Sequence, residues 1–213
     1  YLLYESDGVF FDQADISANT LDYSGVTSQL IPGDLKLKDI NNDGKIDAED
    51  QVRQNYSIIP TLQYGITMDV SYKNFDLSIL FQGSSGAKAL FEGEFGDIGN
   101  FYKYQFDNRW SIDSPSREHP RLASRGDTYY TGGNFGNNTY RYFSTDYFRL
   151  KNLELGYNVP ETLLAKGFVS GLRIYVSGLN LFTISEFDIW DPEIAGRGYP
   201  LSKVLNVGFK VNF

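Results

Sequence analysis

The residues best equipped for chemistry in this sequence are the oxygen donors gathered between Asp39 and Asp50. Over Asp39-Ile40-Asn41-Asn42-Asp43-Gly44-Lys45-Ile46-Asp47-Ala48-Glu49-Asp50, donors recur at about positions 1, 3, 5, 7, 9 and 12 of a calcium-binding loop. Asp39, Asn41 and Asp43 take the first three places, the backbone carbonyl of Lys45 the next, then Asp47 and Asp50. Gly44 stands where such a loop must turn sharply. Hard oxygens at this spacing wrap one hard cation, so the expected ligand is a structural Ca2+ that stiffens a loop. Two departures separate the segment from a signalling site. Its last donor is Asp50 rather than the longer Glu, and Asp34-Leu35-Lys36-Leu37-Lys38 before it alternates like a strand rather than an entering helix. The same residues also suit an Asx-rich turn without metal.

Other reactive side chains are sparse. Asp188, Asp191 and Glu193 flank Trp190, and Glu92 and Glu94 lie two apart. A glycosidase needs two carboxylates at a separation set by the fold, which neighbourhood in sequence does not supply, so these read as solvated loop carboxylates. The single histidine, His119, sits beside Pro120 between Arg117 and Arg121, a surface imidazole rather than a catalytic one. There is no cysteine, which excludes disulfides, thiol catalysis and Cys-based zinc sites together. No Gly-rich loop followed by Lys opens a helix, so nucleotide binding has no support. The net charge of −8 and pI near 4.7 argue against nucleic acid, whose binding draws on Lys and Arg to release counterions. An enzyme is not expected.

The elements that must position these residues are strands. From Leu62 to Tyr72 every even position is apolar and every odd one small or polar, a run of period two. Lys73-Asn74 interrupts it, and Phe75, Leu77, Ile79 and Phe81 resume the apolar row, as in a tight hairpin. Phe148 and Leu150 begin another row, which continues one place out of phase in Leu153, Leu155 and Tyr157; the slip near Asn152 predicts a bulge. Leu172, Ile174 and Val176 open a strand towards Phe182, and Leu205, Val207, Phe209, Val211 and Phe213 form the cleanest row of all.

These strands run roughly 10 to 13 residues, against about 5 to 6 in soluble sheets and about 9 to 11 for a tilted membrane strand. With 16 Tyr and 16 Phe, alternating segments of that length point to an all-β, antiparallel transmembrane barrel. A soluble, calcium-stabilised β-domain that binds glycans through Tyr and Trp faces is the competing reading. The connections favour the barrel: Lys73-Asn74 and Pro160 to Gly171 are short, whereas Phe10 to Pro60 and Gly83 to Thr145 are long. Barrels pair short periplasmic turns with long extracellular loops. Within the second loop, Phe101 to Trp110 reads as a short helix or an aromatic cluster, and Thr131 to Thr139 as a Gly/Asn-rich tip. If the last strand enters the periplasm, counting back through the strands puts Asp39 to Asp50 outside the cell. A hairpin hidden between Gly83 and Thr145 would leave that parity unchanged.

Several of these segments together are similar to the SusC/RagA family of TonB-linked outer-membrane transporters of Bacteroidota. They are Pro32-Gly33-Asp34-Leu35-Lys36 with the acidic loop, Tyr72-Lys73-Asn74-Phe75-Asp76-Leu77-Ser78 with Phe81-Gln82-Gly83, and Asn108-Arg109-Trp110. Tyr147 to Leu153 with Leu155-Gly156-Tyr157, Leu172 to Thr183, and the terminal strand ending on Phe213 complete the set. The resemblance implies a Gram-negative outer-membrane barrel of about 22 strands around a plug, of which residues 1–213 match the C-terminal part. The plug, the remaining strands and the TonB-contacting N-terminal part would lie elsewhere in the same transporter. It further implies import of oligosaccharides or peptides with a SusD-like surface lipoprotein, which would meet the loops Phe101 to Trp110 and Thr183 to Tyr199.

Overall fold

A computed structural model describes residues 1–91, 102–123, 137–164, 168–187, 189–194 and 198–213. In chain order its elements are β1 (Leu2–Tyr4), β2 (Ser6–Val9), α1 (Gln13–Ala18), β3 (Leu35–Leu37), β4 (Gln51–Arg53), β5 (Leu62–Tyr72) and β6 (Phe75–Ser85). They continue with β7 (Lys88–Leu90), α2 (Lys103–Asn108), β8 (Tyr142–Ser144), β9 (Tyr147–Val159), β10 (Gly171–Ser185) and β11 (Val204–Asn212). The chain divides into two units: Tyr1–Tyr56 with Leu90–Phe143, and Ser57–Ala89 with Ser144–Phe213. No helix among the described residues is long and apolar enough to cross a membrane.

The second unit is a five-stranded antiparallel sheet in the order β11-β10-β9-β6-β5. Every strand expected from the alternation is present. β5 and β6 are 11 residues each, β9 is 13 and β10 is 15, lengths that suit a wall crossing a bilayer at a tilt. Lys73 closes the β5–β6 hairpin at φ 53, the left-handed backbone that tight hairpin turns require. β6 pairs directly with β9, so no hairpin from the stretch between Gly83 and Thr145 enters the sheet between them. Residues 131–136 of the expected loop tip lie outside the described residues. The starts of β5, β9 and β11 and the ends of β6 and β10 therefore share one edge of the sheet, and the short connections share the other.

The expected bulge is real. Leu80 pairs with Asn152 and Phe81 with Leu150, leaving Lys151 as the extra residue of β9. β10 answers it: Leu179 pairs with Asn152 and Phe182 with Leu150, so Asn180 and Leu181 cross the same gap, with Asn180 at φ 51. The register sorts side chains by face. Ile66, Phe81, Leu150 and Phe182 stand in one row, and Val70, Leu77, Leu155, Val176 and Val207 in another, all on one face. Among the described residues nothing covers that face even in mid-sheet, with Leu155 43% and Val176 48% exposed. Aromatic side chains gather towards both ends of it. Phe148 stacks on Phe81 at 5.1 Å and faces Tyr64, while Phe75 meets Tyr157 at 4.8 Å. Apolar rows between aromatic girdles match the lipid-facing side of a barrel.

The first unit departs from the reading of Phe10 to Pro60 as an extended loop. It carries its own core of Tyr4, Val9, Phe10, Tyr23, Val26, Leu35, Leu37 and Ile46, with Trp110 and Tyr140 packed against it. The strand pairs β1–β4 and β2–β3 frame this core, and Asp12 caps α1 by accepting from Asp15 N–H. Its apolar residues follow no single period because short strands and turns supply them one or two at a time. The expected strand character of Leu35 to Leu37 is present as β3, and α2 fills most of the aromatic stretch from Lys103 onward; Phe101 lies outside the described residues.

Candidate functional site: the acidic loop and the polar wall face

The acidic loop is built from its own backbone. Asp39 accepts from Gly44 N–H at 2.9 Å, Asn41 from Asp43 N–H at 3.0 Å and Asp43 from Lys45 N–H at 2.9 Å. These short-range bonds are the ones Asx residues offer a turn, and they bend the chain through Asn42 at φ 60 and Gly44 at φ 86. Asp50 is wholly buried, accepting from Ile40 N–H at 2.8 Å and Asp47 N–H at 2.9 Å. It thus ties the two ends of the loop together. Asp47 returns the contact by capping the short 3-10 turn Ala48–Asp50. Ile46, fully buried, anchors the loop in the core, and Asp22 brackets it, donating to Gly44 O and accepting from Ile46 N–H.

Carboxylate, amide and backbone oxygens at these positions fit a hard divalent cation in chemistry. Among the described residues, no group of three His, Asp or Glu side chains stands close enough to hold a metal ion. Asp39, Asp43 and Asp47 are therefore placed on one loop without being gathered into a cage, and Asp50 is committed to closing that loop.

Elsewhere in the first unit, the segment after α2 straps it together. Gly33, at φ +93, lies against Trp110 and Arg121. Trp110 Nε1 donates to Phe11 O at 2.8 Å, and Arg121 pairs with the buried Asp34 at 2.6 Å. His119 is a partner in this packing: its Nδ1 lies 2.9 Å from the Tyr140 hydroxyl, and burial raises the Tyr140 pKa. Burial likewise pushes the Tyr23 phenol up to about 12, where it bonds to both Leu37 N–H and Leu37 O. The Lys36 ammonium, with Phe11 N–H, holds the Asp15 carboxyl below the ordinary carboxylate range.

The second unit shows charged residues that the sequence did not single out. On the face opposite the apolar rows, Arg173 of β10 reaches across β9 to Asp76 of β6 and also meets Glu154 at 2.8 Å. Gly156 makes the crossing possible, since a Cβ there would collide with both the guanidinium and the carboxylate. Towards the other end, Arg149 is 1% exposed and forms a closed set with the segment beyond β10. It donates to Thr183 at 2.9 Å, Glu193 at 2.8 Å and Asp191 at 2.7 Å, while Lys151 adds a contact to Glu193 at 3.0 Å. Asp191 and Glu193, expected as solvated loop carboxylates, are thus ion-paired. Asp188, Glu92 and Glu94 lie outside the described residues. The signal for Arg149 was its place in the polar row of β9; its partners depend on pairing that no spacing reveals.

No family profile matches the chain. It is similar to TonB-dependent receptors of Formosa agariphila, at 32% identity over 197 residues for one and 29% over 216 for another. These alignments take in 89% and 92% of this chain but 18% and 21% of the receptors, so the chain spans about a fifth of these curated relatives. In structure it matches the RagAB peptide importer in its open-open state with a TM-score of 0.68 at 21% identity, and the RagAB peptide transporter with 0.67 at 22%. Each match covers 100% of this chain and 22% or 23% of the other.

Proposed function

We propose, from the premise that this chain belongs to the SusC/RagA-type TonB-dependent receptors, that it forms part of an outer-membrane importer of oligosaccharides or peptides. The observation that carries this reading is the sheet itself: one face apolar and uncovered between two aromatic bands, the other charged and hydrogen-bonded. In a closed barrel the first face meets lipid and the second lines the passage. A sheet edge in lipid leaves backbone groups unpaired at several kcal/mol each, so β5 and β11 pair with further strands of the same transporter. The plug and the TonB-contacting part belong to that remainder, and a SusD-like lipoprotein covers the mouth. The likeness to a peptide importer supports peptides as one cargo class; oligosaccharides stay open beside it.

The short connections are placed in the periplasm and the acidic loop outside the cell, where calcium is available to draw in Asp39, Asn41, Asp43, the Lys45 carbonyl and Asp47 while Asp50 holds the loop closed. The bound ion would stiffen the platform from which the surface loops rise.

The test is uptake. Cells carrying the full-length transporter should hold it in the outer-membrane fraction, co-purify a surface lipoprotein with it, and import a labelled oligopeptide or oligosaccharide only with TonB present. A protein found in the soluble fraction, or uptake that survives its deletion across both cargo classes, overturns the reading.

A further inference from the structure

The segment beyond β10 is held to the wall by more than its chain connection. Arg149 projects from the polar face, yet almost none of it reaches solvent. Its partners are Asp191 and Glu193, together with Thr183 on the neighbouring strand and the Tyr147 ring 5.2 Å away. The carboxylates are fixed in turn: Asp191 accepts from Glu193 N–H at 3.0 Å and from Leu201 N–H at 3.3 Å. Phe187, buried, meets Trp190 edge-on at 5.8 Å just before them.

The double bulge lies beside the same set. In an unbroken strand Lys151 and Asn152 would point to opposite faces. Lys151 shares the polar side with Arg149, which stands two places before it in the strand, and reaches Glu193, while the extra residue in β9 turns Asn152 to that side and returns Leu153 to the apolar row. Bulges commonly re-aim a side chain in this way. Two cations face two carboxylates, and the set is neutral within itself.

We propose that Arg149, with Lys151, is a latch that pins the Trp190–Ile194 segment onto the polar face of the wall. If that face lines a transporter's passage, as proposed above, the latched segment narrows the passage at its long-loop end, and opening requires the latch to part. Arg149 is a positioning residue in this arrangement, acting through the segment it holds.

The experiment is limited proteolysis of the full-length transporter, purified in detergent, with cleavage mapped around Trp190 to Leu201. Arg149→Met should speed cleavage there by about tenfold or more, because removing one partner of a buried ion pair is strongly destabilising and leaves the other charge uncompensated. Asp191→Asn with Glu193→Gln, which loosens the latch from the surface side and spares the wall, should give a similar rise. Adding Arg149→Met to that pair should give little further change. Heat-modifiable migration reports that each barrel is folded, and where Arg149→Met does not fold, the loop-side pair decides alone. Unchanged cleavage in folded barrel overturns the latch. A rise from each change that simply adds in the combined variant overturns it as well. Since no arm reads transport, failure here leaves the transporter reading standing.

Discussion

Gly33 and Trp110, far apart in the chain, lie in contact: a Cβ on Gly33 would stand 2.8 Å from Trp110 Cε3 and 2.7 Å from Arg121 Cβ. The glycine is also at φ +93, where an L side chain is strained. Both the backbone and the space therefore demand glycine.

Gly33→Ala should accordingly weaken the first unit twice over. The left-handed backbone costs about 1–2 kcal/mol for an L-residue, and forcing a methyl against the indole adds about 1–3 kcal/mol. Urea unfolding followed by Trp fluorescence should show a lower midpoint for Gly33→Ala. An unchanged midpoint would mean that neither the backbone nor the Trp110 contact demands glycine there.

Substitutions on the two faces of β5 should part company. Met68 belongs to the uncovered apolar row and Thr67 to the polar one. Met68→Arg should lower folded barrel in membranes, on the scale of about 2–4 kcal/mol for a cation near the bilayer midplane. Thr67→Arg should be tolerated. Equal yields of heat-modifiable barrel for both would refute the assignment of faces.

For the acidic loop, a cysteine at the exposed Ala48 should react with a membrane-impermeant reagent on intact cells. Chelation should increase the reaction, and Asp39→Asn with Asp43→Asn should mimic chelation. An extracellular site of about 10⁻⁴ to 10⁻³ M affinity would then be titratable with added calcium. Labelling only in broken cells would reverse the proposed sidedness, and labelling indifferent to calcium would remove the metal.

The Asp15–Lys36 pair, at 2.7 Å, carries a pH dependence of fixed sign. Asp15 has a depressed folded pKa, so its contribution is complete above the unfolded carboxylate value of about 3.9. It is lost as pH falls through the lower folded value. The pair is partly exposed, and its contribution should stay below about 1 kcal/mol. Lys36→Met should flatten the acid limb of the stability profile and leave neutral pH nearly unchanged; the same acid limb in both proteins would assign the dependence elsewhere.

What the sequence by itself determined is the wall. Alternation of period two over Leu62 to Tyr72 and Leu205 to Phe213 sets which side chains share a face, because a strand's geometry admits no other sorting. The phase slip near Asn152 was enough to place the bulge, since only an extra residue reconciles two rows on one face. The acidic loop's donors were equally legible, because their bonds run to neighbours within a few residues. Tertiary structure alone decided the rest. The core of the first unit, from Tyr4 to Ile46, has no period, because turns deliver its members singly. Arg149 gave no sign in the sequence of meeting Asp191 and Glu193. Their meeting depends on strand register and on the return of the chain beyond β10, neither of which is written in the spacing of the residues concerned.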